Sequence, residues 1–118
     1  MVERLLRPKF EVVGKVVDGQ SLFETAMKLK PDVIITDISM PVLDGIAAAD
    51  RLKESGCASR IVFLTVHSDP DFVRACLATG AFGYVVKSRI DTELVTAIRD
   101  ALAGQFFISQ HLTPNNER

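Results

Sequence analysis

Three polar residues of complementary chemistry each follow directly on an apolar run of the sequence: Asp37, Thr65 and Lys87. If these runs are strands of a parallel sheet, their carboxyl ends meet at the edge where open α/β sheets hold their ligands. A carboxylate, a hydroxyl and an ammonium would then lie close together. This set suits a phosphoryl group, because it offers one nucleophile and two groups that can bind phosphoryl oxygens.

The segments around these residues alternate apolar runs with helical patterns, which is typical of βαβ units and a parallel sheet. The pattern predicts strands over residues 12–17, 32–36, 60–65 and 82–86. It predicts helices from a Ser21–Glu24 capping box to just before Pro31, over about 44–55 with a stop at Gly56, from Asp69-Pro70 to near Gly80, and over about 91–103 between an Asp91 N-cap and Gly104. The sequence therefore predicts an α/β fold.

The apolar spacing of two helices predicts which of their residues pack against the sheet. In the first helix these residues are Leu22, Ala26 and Leu29. In the last helix, five residues follow the amphipathic spacing i, i+3, i+4, i+7, i+8: Leu94, Ala97, Ile98, Ala101 and Leu102. We expect both faces to be buried in the core.

The composition bounds the class of protein. The chain has 118 residues, of which 47% are hydrophobic, and this is enough for the core of a single domain. The formal net charge is −1 without a run of Lys or Arg, which argues against nucleic-acid or anionic-membrane binding. No apolar stretch approaches the roughly 20 residues of a membrane span. Cys57 and Cys76 lack metal-type spacing and are predicted to be free thiols in a reducing, cytoplasmic setting.

The stretch from Asp37 to Gly45 reads Asp-Ile-Ser-Met-Pro-Val-Leu-Asp-Gly. It resembles the receiver domain of two-component response regulators, whose pattern is D-x-x-M-P-x-x-D-G, and Thr65 and Lys87 fall where that family has its switch Thr and its Lys. Three further segments are similar to the NarL/LuxR-type subfamily: Phe10–Gly14, Thr65–Asp69 and Ala101–Ser109. The resemblance implies a flavodoxin-like (CheY-like), doubly wound parallel sheet in a three-layer α/β/α arrangement.

The resemblance also implies a role for each site residue. Asp37 would be the phosphoacceptor for a histidine kinase, and Lys87 would pair with a phosphoryl oxygen. Thr65 would move to hydrogen-bond another oxygen while Tyr84 turns inward, which reshapes the surface of the family's fourth helix, fifth strand and fifth helix. Asp37 and the backbone carbonyl of Ser39 would be ligands of Mg²⁺.

The chain departs from the family pattern at its beginning. Met1 falls inside the family's first helix, so the first strand and the acidic pair that holds Mg²⁺ are expected to be missing. We therefore expect Mg²⁺ to bind weakly, because this ion favours six oxygen ligands. The sheet would have to close the gap, leave an exposed edge or borrow a strand, and each of these outcomes favours association.

Two residues near the site have more than one interpretation. Tyr84 is either a core residue or a switch residue. Ser88 stands where many receivers have Pro, so the Lys87–Ser88 peptide is either a strained cis bond or part of an altered loop. Asp44 is expected to serve the turn before a helix, and His67 is expected to be a loop residue near the mouth of the site.

These observations lead to one hypothesis and two alternatives. The hypothesis is a receiver domain over residues 1–108, with a polar tail or linker over 109–118 before a DNA-binding output domain. It is not expected to be an enzyme; its partners would be a histidine kinase or phosphotransfer protein and a second copy of itself, without nucleic acid or membrane. The first alternative is a phosphorylation-independent dimerisation or docking module. The second is a small phosphatase or phosphotransferase with Asp37 as its nucleophile.

Overall fold

The computed structural model describes residues 5–6, 8–10, 18–37, 45–66 and 70–109, apart from the side chains of Pro70 and Phe72. Several predictions fall outside the described residues. These are the strand over 12–17, the helix cap at Asp69, the tail from residue 110, and the positions of Ser39, Asp44 and His67.

The described strands form one parallel sheet in the order β1-β2-β3-β4. Their bounds are β1 Val33–Asp37, β2 Arg60–Thr65, β3 Gly83–Val86 and β4 Phe107–Ile108. The first three confirm the strands predicted over 32–36, 60–65 and 82–86 to within a residue at each end. Strand β4 was not predicted, because two residues after a helix carry too little pattern to indicate a strand.

The helices connect these strands in alternation. Their bounds are α1 Gly19–Leu29, α2 Gly45–Glu54, α3 Pro70–Ala78 and α4 Ile90–Leu102, with a 3₁₀ turn over Lys87–Arg89 before α4. The predicted stops after α2 and α4 are confirmed, since Gly56 and Gly104 have φ of 78° and 77°, a backbone conformation that favours glycine. None of the described helices is long and apolar enough to cross a membrane.

The sheet is buried on both faces, which confirms the predicted three-layer arrangement. On one face, Phe63 and Tyr84 pack with residues of α1, α2 and α3 such as Leu22, Ala48 and Val73. On the other face, the strands pack against α4 and the segment around Leu6. The buried residues of this second cluster are Leu6, Val62, Leu64, Val85, Ile90, Leu94, Ala97, Ile98 and Ala101. Burial on both faces explains the nearly continuous apolar runs of the strands.

The start of α1 corrects the predicted capping box. The N-cap is Asp18, whose carboxylate accepts a hydrogen bond from the Ser21 backbone N–H at 2.7 Å. Ser21 therefore lies within the first turn, and the helix begins earlier than predicted because Asp18 already satisfies a free N–H group. Leu22 and Ala26 are buried as predicted, whereas Leu29 is 44% exposed at the last helical position.

The start of α4 also differs from the prediction. Asp91 lies in the first turn of the helix and is not its N-cap. The helix continues directly from the 3₁₀ turn, with the Ile90 backbone N–H bonded to the Lys87 carbonyl, so it begins without a side-chain cap. Four of the five predicted core positions of α4 are buried, and Leu102 is 43% exposed at its end.

The loop after β3 shows which of the two interpretations of the Lys87–Ser88 peptide is right. The described residues contain no cis peptide bond, so the Lys87–Ser88 peptide is trans. The alternative of an altered loop is confirmed, and that loop is the 3₁₀ turn over Lys87–Arg89.

Candidate functional site

The structure brings Asp37 and Lys87 together in an ion pair. The Lys87 ammonium lies 2.9 Å from a carboxylate oxygen of Asp37, and the two side chains are 42% and 43% exposed. A pair this accessible gains little stability, typically about 0–1 kcal/mol, because water screens it. Both groups are therefore held close together and remain open to a reactant from solution.

The sheet register explains how residues so far apart in sequence meet. Asp37 ends β1 and lies opposite Leu64 of β2, while Val86 ends β3 and lies opposite Thr65. Lys87 follows Val86 as the first residue of the 3₁₀ turn. Because β2 lies between β1 and β3, the Asp37 carboxylate and the Lys87 ammonium meet across the end of the middle strand.

Thr65 ends that middle strand and is buried. Side chains of a strand alternate between its two faces, so Thr65 shares a face with Phe63, which lies opposite Tyr84. Tyr84 is fully buried in the cluster on this face. The structure thus places Thr65 at the same end of the sheet as Asp37 and Lys87, and it places Tyr84 inward in the core.

The residues described do not by themselves form a magnesium site. Asp37 offers one carboxylate, and the described part of the chain contains no group of three or more His, Cys, Asp or Glu residues that could hold a metal ion. Mg²⁺ demands six oxygen ligands in near-octahedral geometry, some of which are usually water. The second ligand predicted from the resemblance, the Ser39 carbonyl, lies outside the described residues.

A second polar cluster surrounds the turn that carries Lys87, and sequence reasoning missed it. Buried Glu93 of α4 accepts hydrogen bonds from the Ser109 hydroxyl and, at 2.6 Å, from Arg89 Nε. The Ser109 hydroxyl oxygen also accepts the Val86 backbone N–H at 3.1 Å. The i, i+4 spacing of Arg89 and Glu93 was a usable signal, but nothing in the sequence connects Ser109 to either residue.

Both cysteines are free, as predicted. Cys76 is fully buried between α3 and the sheet, and burial raises the pKa of its thiol to about 12. Cys57 is half-buried after α2. The structure gives Cys76 a packing role, since a thiol is a good nucleophile only when it ionises.

Comparison with known proteins supports the resemblance to receiver domains. Residues 1–99 match the family described as "Response regulator receiver domain". The chain belongs to the response regulator receiver domain family. Relatives at 34–38% identity include several named as response regulators or transcriptional regulatory proteins, and structural neighbours include LuxR-family regulators, so the chain is a NarL/LuxR-type receiver domain.

Three of these proteins show the extent of the similarity. This receiver domain is 35% identical to the nitrate/nitrite response regulator protein NarL of Escherichia coli (strain K12) over 109 residues, which cover 92% of the chain and 50% of that protein. A LuxR-family two-component response regulator from Aurantimonas sp. SI85-9A1 has a similar structure, with a TM-score of 0.84, 32% identity, and coverage of 91% of this chain and 76% of the other. The isolated REC domain of RcsB from Salmonella enterica serovar Typhimurium has a TM-score of 0.84, 28% identity, and coverage of 94% and 84%.

The solved structures confirm the flavodoxin-like, CheY-like fold of this receiver domain. The chain spans about half the length of the curated relatives that it matches. Those relatives bear the names of regulators and not of enzymes.

Proposed function

We propose that this receiver domain accepts a phosphoryl group on Asp37 from the phosphohistidine of a cytoplasmic histidine kinase. The observation that carries the proposal is the accessible Asp37–Lys87 ion pair, 2.9 Å long, at the carboxyl edge of the sheet. Thr65 ends the strand between them. The nucleophile and the cation are thus in contact, and the proposal adds the Thr65 hydroxyl as the second group that binds the phosphoryl oxygens.

In the proposed reaction, a carboxylate oxygen of Asp37 attacks the phosphorus atom. The bond between phosphorus and the histidine nitrogen breaks, its electron pair stays on the imidazole, and an acyl phosphate forms on Asp37. Phosphoryl transfer depends chiefly on positioning and on stabilisation of charge at the phosphoryl oxygens. The Lys87 ammonium is already in place to exchange its carboxylate partner for one of those oxygens.

Thr65 and Tyr84 supply the proposed response to phosphorylation. The Thr65 hydroxyl would donate a hydrogen bond to a second phosphoryl oxygen. Tyr84 lies in the same core cluster as Val73 and Cys76 of α3, so a shift of Thr65 would change the packing beneath α3. We propose that the surface of α3, β3 and α4 changes in this way and controls dimerisation and a DNA-binding output domain. For Mg²⁺ we propose Asp37 and the Ser39 carbonyl as ligands.

Intact mass spectrometry after incubation with acetyl phosphate and Mg²⁺ tests the proposal. We expect the unmodified chain to gain one phosphoryl group and Asp37→Asn to gain none. Asp71→Asn is the matched control, because Asp71 is another exposed carboxylate paired with a cation, Arg74, at 2.6 Å. A gain that survives in Asp37→Asn, or that Asp71→Asn also abolishes, would contradict the proposal. No gain in any chain would favour the phosphorylation-independent docking module.

A further inference from the structure

The turn that carries Lys87 is fastened at both ends to one buried carboxylate. At its start, the Val86 N–H donates to the Ser109 hydroxyl oxygen, and that hydroxyl donates to Glu93 Oε1. At its end, Arg89 Nε donates to Glu93 Oε2 at 2.6 Å. Both carboxylate oxygens of Glu93 are therefore engaged, one on each side of Lys87.

The burial of this cluster limits the geometries that its members can adopt. Glu93 is 7% exposed and Ser109 is fully buried. Burial of a carboxylate is costly even when it is hydrogen-bonded, and an apolar residue usually serves stability as well at such a position. A buried charge does, however, fix its partners in one geometry, because any other arrangement leaves the charge without hydrogen bonds.

Ser109 adds a link to strand β4. Its backbone N–H donates to the Tyr84 carbonyl at 3.0 Å, and its side chain bonds the Val86 N–H, so it follows the edge of β3 to the end of that strand. Lys87 comes next in the chain. A displacement of the turn therefore breaks hydrogen bonds to Ser109, and a displacement of Ser109 releases the turn.

We propose that Glu93 and Ser109 are positioning residues for Lys87, which hold its ammonium at Asp37 and couple the site to strand β4. This inference rests on the proposed function, in which Lys87 binds a phosphoryl oxygen. Coupling between two sites is reciprocal. A phosphoryl group that draws Lys87 from its present position thus also shifts Ser109, and with it strand β4.

Side-chain NMR of Lys87 tests the positioning role without any phosphorylation. The ¹³C signal of its ε-methylene reports the ion pair, and Asp37→Asn gives the position of that signal when the pair is lost. We expect Ser109→Ala and Glu93→Gln to move the signal towards that position. Thr79→Val is the matched control, since it removes another buried hydroxyl, which donates to the Cys76 carbonyl at 2.6 Å. Thr79 precedes the first residue of β3, whereas Lys87 follows its last residue.

The rate of phosphorylation by acetyl phosphate is the second measurement. We expect Ser109→Ala and Glu93→Gln to slow it about tenfold, because small displacements of a reacting group have large effects on rate. Thr79→Val should keep the original rate even if it lowers the midpoint of thermal unfolding as much as Ser109→Ala and Glu93→Gln do. A loss of rate that follows thermal stability across all three variants would show a structural role only, and would overturn the inference.

The outcomes separate this inference from the proposed function. An unmoved Lys87 signal in Glu93→Gln and Arg89→Ala overturns the inference, whether or not Asp37 accepts a phosphoryl group. A moved signal in a chain that is never phosphorylated supports the positioning role and contradicts the proposed function. Should Ser109→Ala fail to fold, Glu93→Gln and Arg89→Ala decide, since the Arg89 side chain is 44% exposed and Gln keeps the shape of Glu93.

Discussion

Lys87 Nζ lies 2.9 Å from an Asp37 carboxylate oxygen, although the two residues follow or end strands that do not pair with each other. Strand β2 separates them, and its last residue is the buried Thr65. The ion pair thus spans the carboxyl end of the middle strand.

The ion pair is expected to serve function far more than stability. Lys87→Met should lower the rate of phosphorylation by acetyl phosphate about a hundredfold, as expected for the loss of a group that stabilises transition-state charge. It should change the free energy of unfolding by no more than about 1 kcal/mol, because both side chains are more than 40% exposed. Urea denaturation measures the second effect. A large loss of stability would show that the pair is structural.

The structure and the sequence pattern assign different N-caps to α1, and the two assignments predict different effects of mutation. Asp18→Ala should lower the free energy of unfolding by about 1 kcal/mol, because it leaves the Ser21 N–H without its acceptor. Ser21→Ala should cost much less, since Ser21 is not the N-cap. Urea denaturation of both variants provides the comparison. The reverse order of effects would restore the predicted Ser21–Glu24 capping box.

The contact between Gly83 and Val62 predicts a steric requirement in the sheet. A Cβ at Gly83 would lie 3.0 Å from both Cγ atoms of Val62, its partner in the register of β2 and β3. Gly83→Ala should therefore lower the free energy of unfolding by about 1–3 kcal/mol, the usual range for overpacking a core. In a double-mutant cycle, Gly83→Ala should cost less in the Val62→Ala background than in the unmodified chain, because Val62→Ala removes both Cγ atoms. Equal costs in the two backgrounds, measured by urea denaturation, would contradict the steric contact.

The buried thiol of Cys76 predicts a dependence of stability on pH. Its pKa rises from 9.0 to about 12 on folding, so the folded thiol stays neutral where the unfolded one ionises. Below pH 9 both states hold the proton and stability is unaffected; as the pH rises from 9 towards 12, ionisation favours the unfolded state. The difference in unfolding free energy between the unmodified chain and Cys76→Ala should fall over this range. A constant difference would contradict the shift.

Thiol accessibility offers a second test of the same feature. At pH 8 a thiol-specific reagent should modify Cys57 readily and Cys76 only as the protein unfolds, because the Cys76 side chain is fully buried. Cys57→Ala isolates the slow reaction. Comparable rates for the two cysteines in the folded protein would show that α3 opens from the sheet far more often than its packing indicates.

The sequence by itself determined the α/β class, three of the four described strands and the approach of Asp37 and Lys87 to each other. Two local patterns can be recognised without knowledge of the fold. They are the apolar runs of strands that are buried on both faces and the single motif from Asp37 to Gly45. Because the carboxyl ends of parallel strands share one edge, the meeting of Asp37 and Lys87 followed from topology alone.

Only the tertiary structure decided what the chain-end and turn residues do. Asp18 could have ended a strand or capped a helix, and the choice depended on where α1 begins. Strand β4 exists because the edge of β3 offers partners for Phe107 and Ser109, which no local pattern reveals. The burial of Glu93 likewise follows from its hydrogen bonds to Arg89 and to Ser109, which comes from a different part of the chain. Such long-range pairings depend on packing, and a sequence pattern records only local spacing.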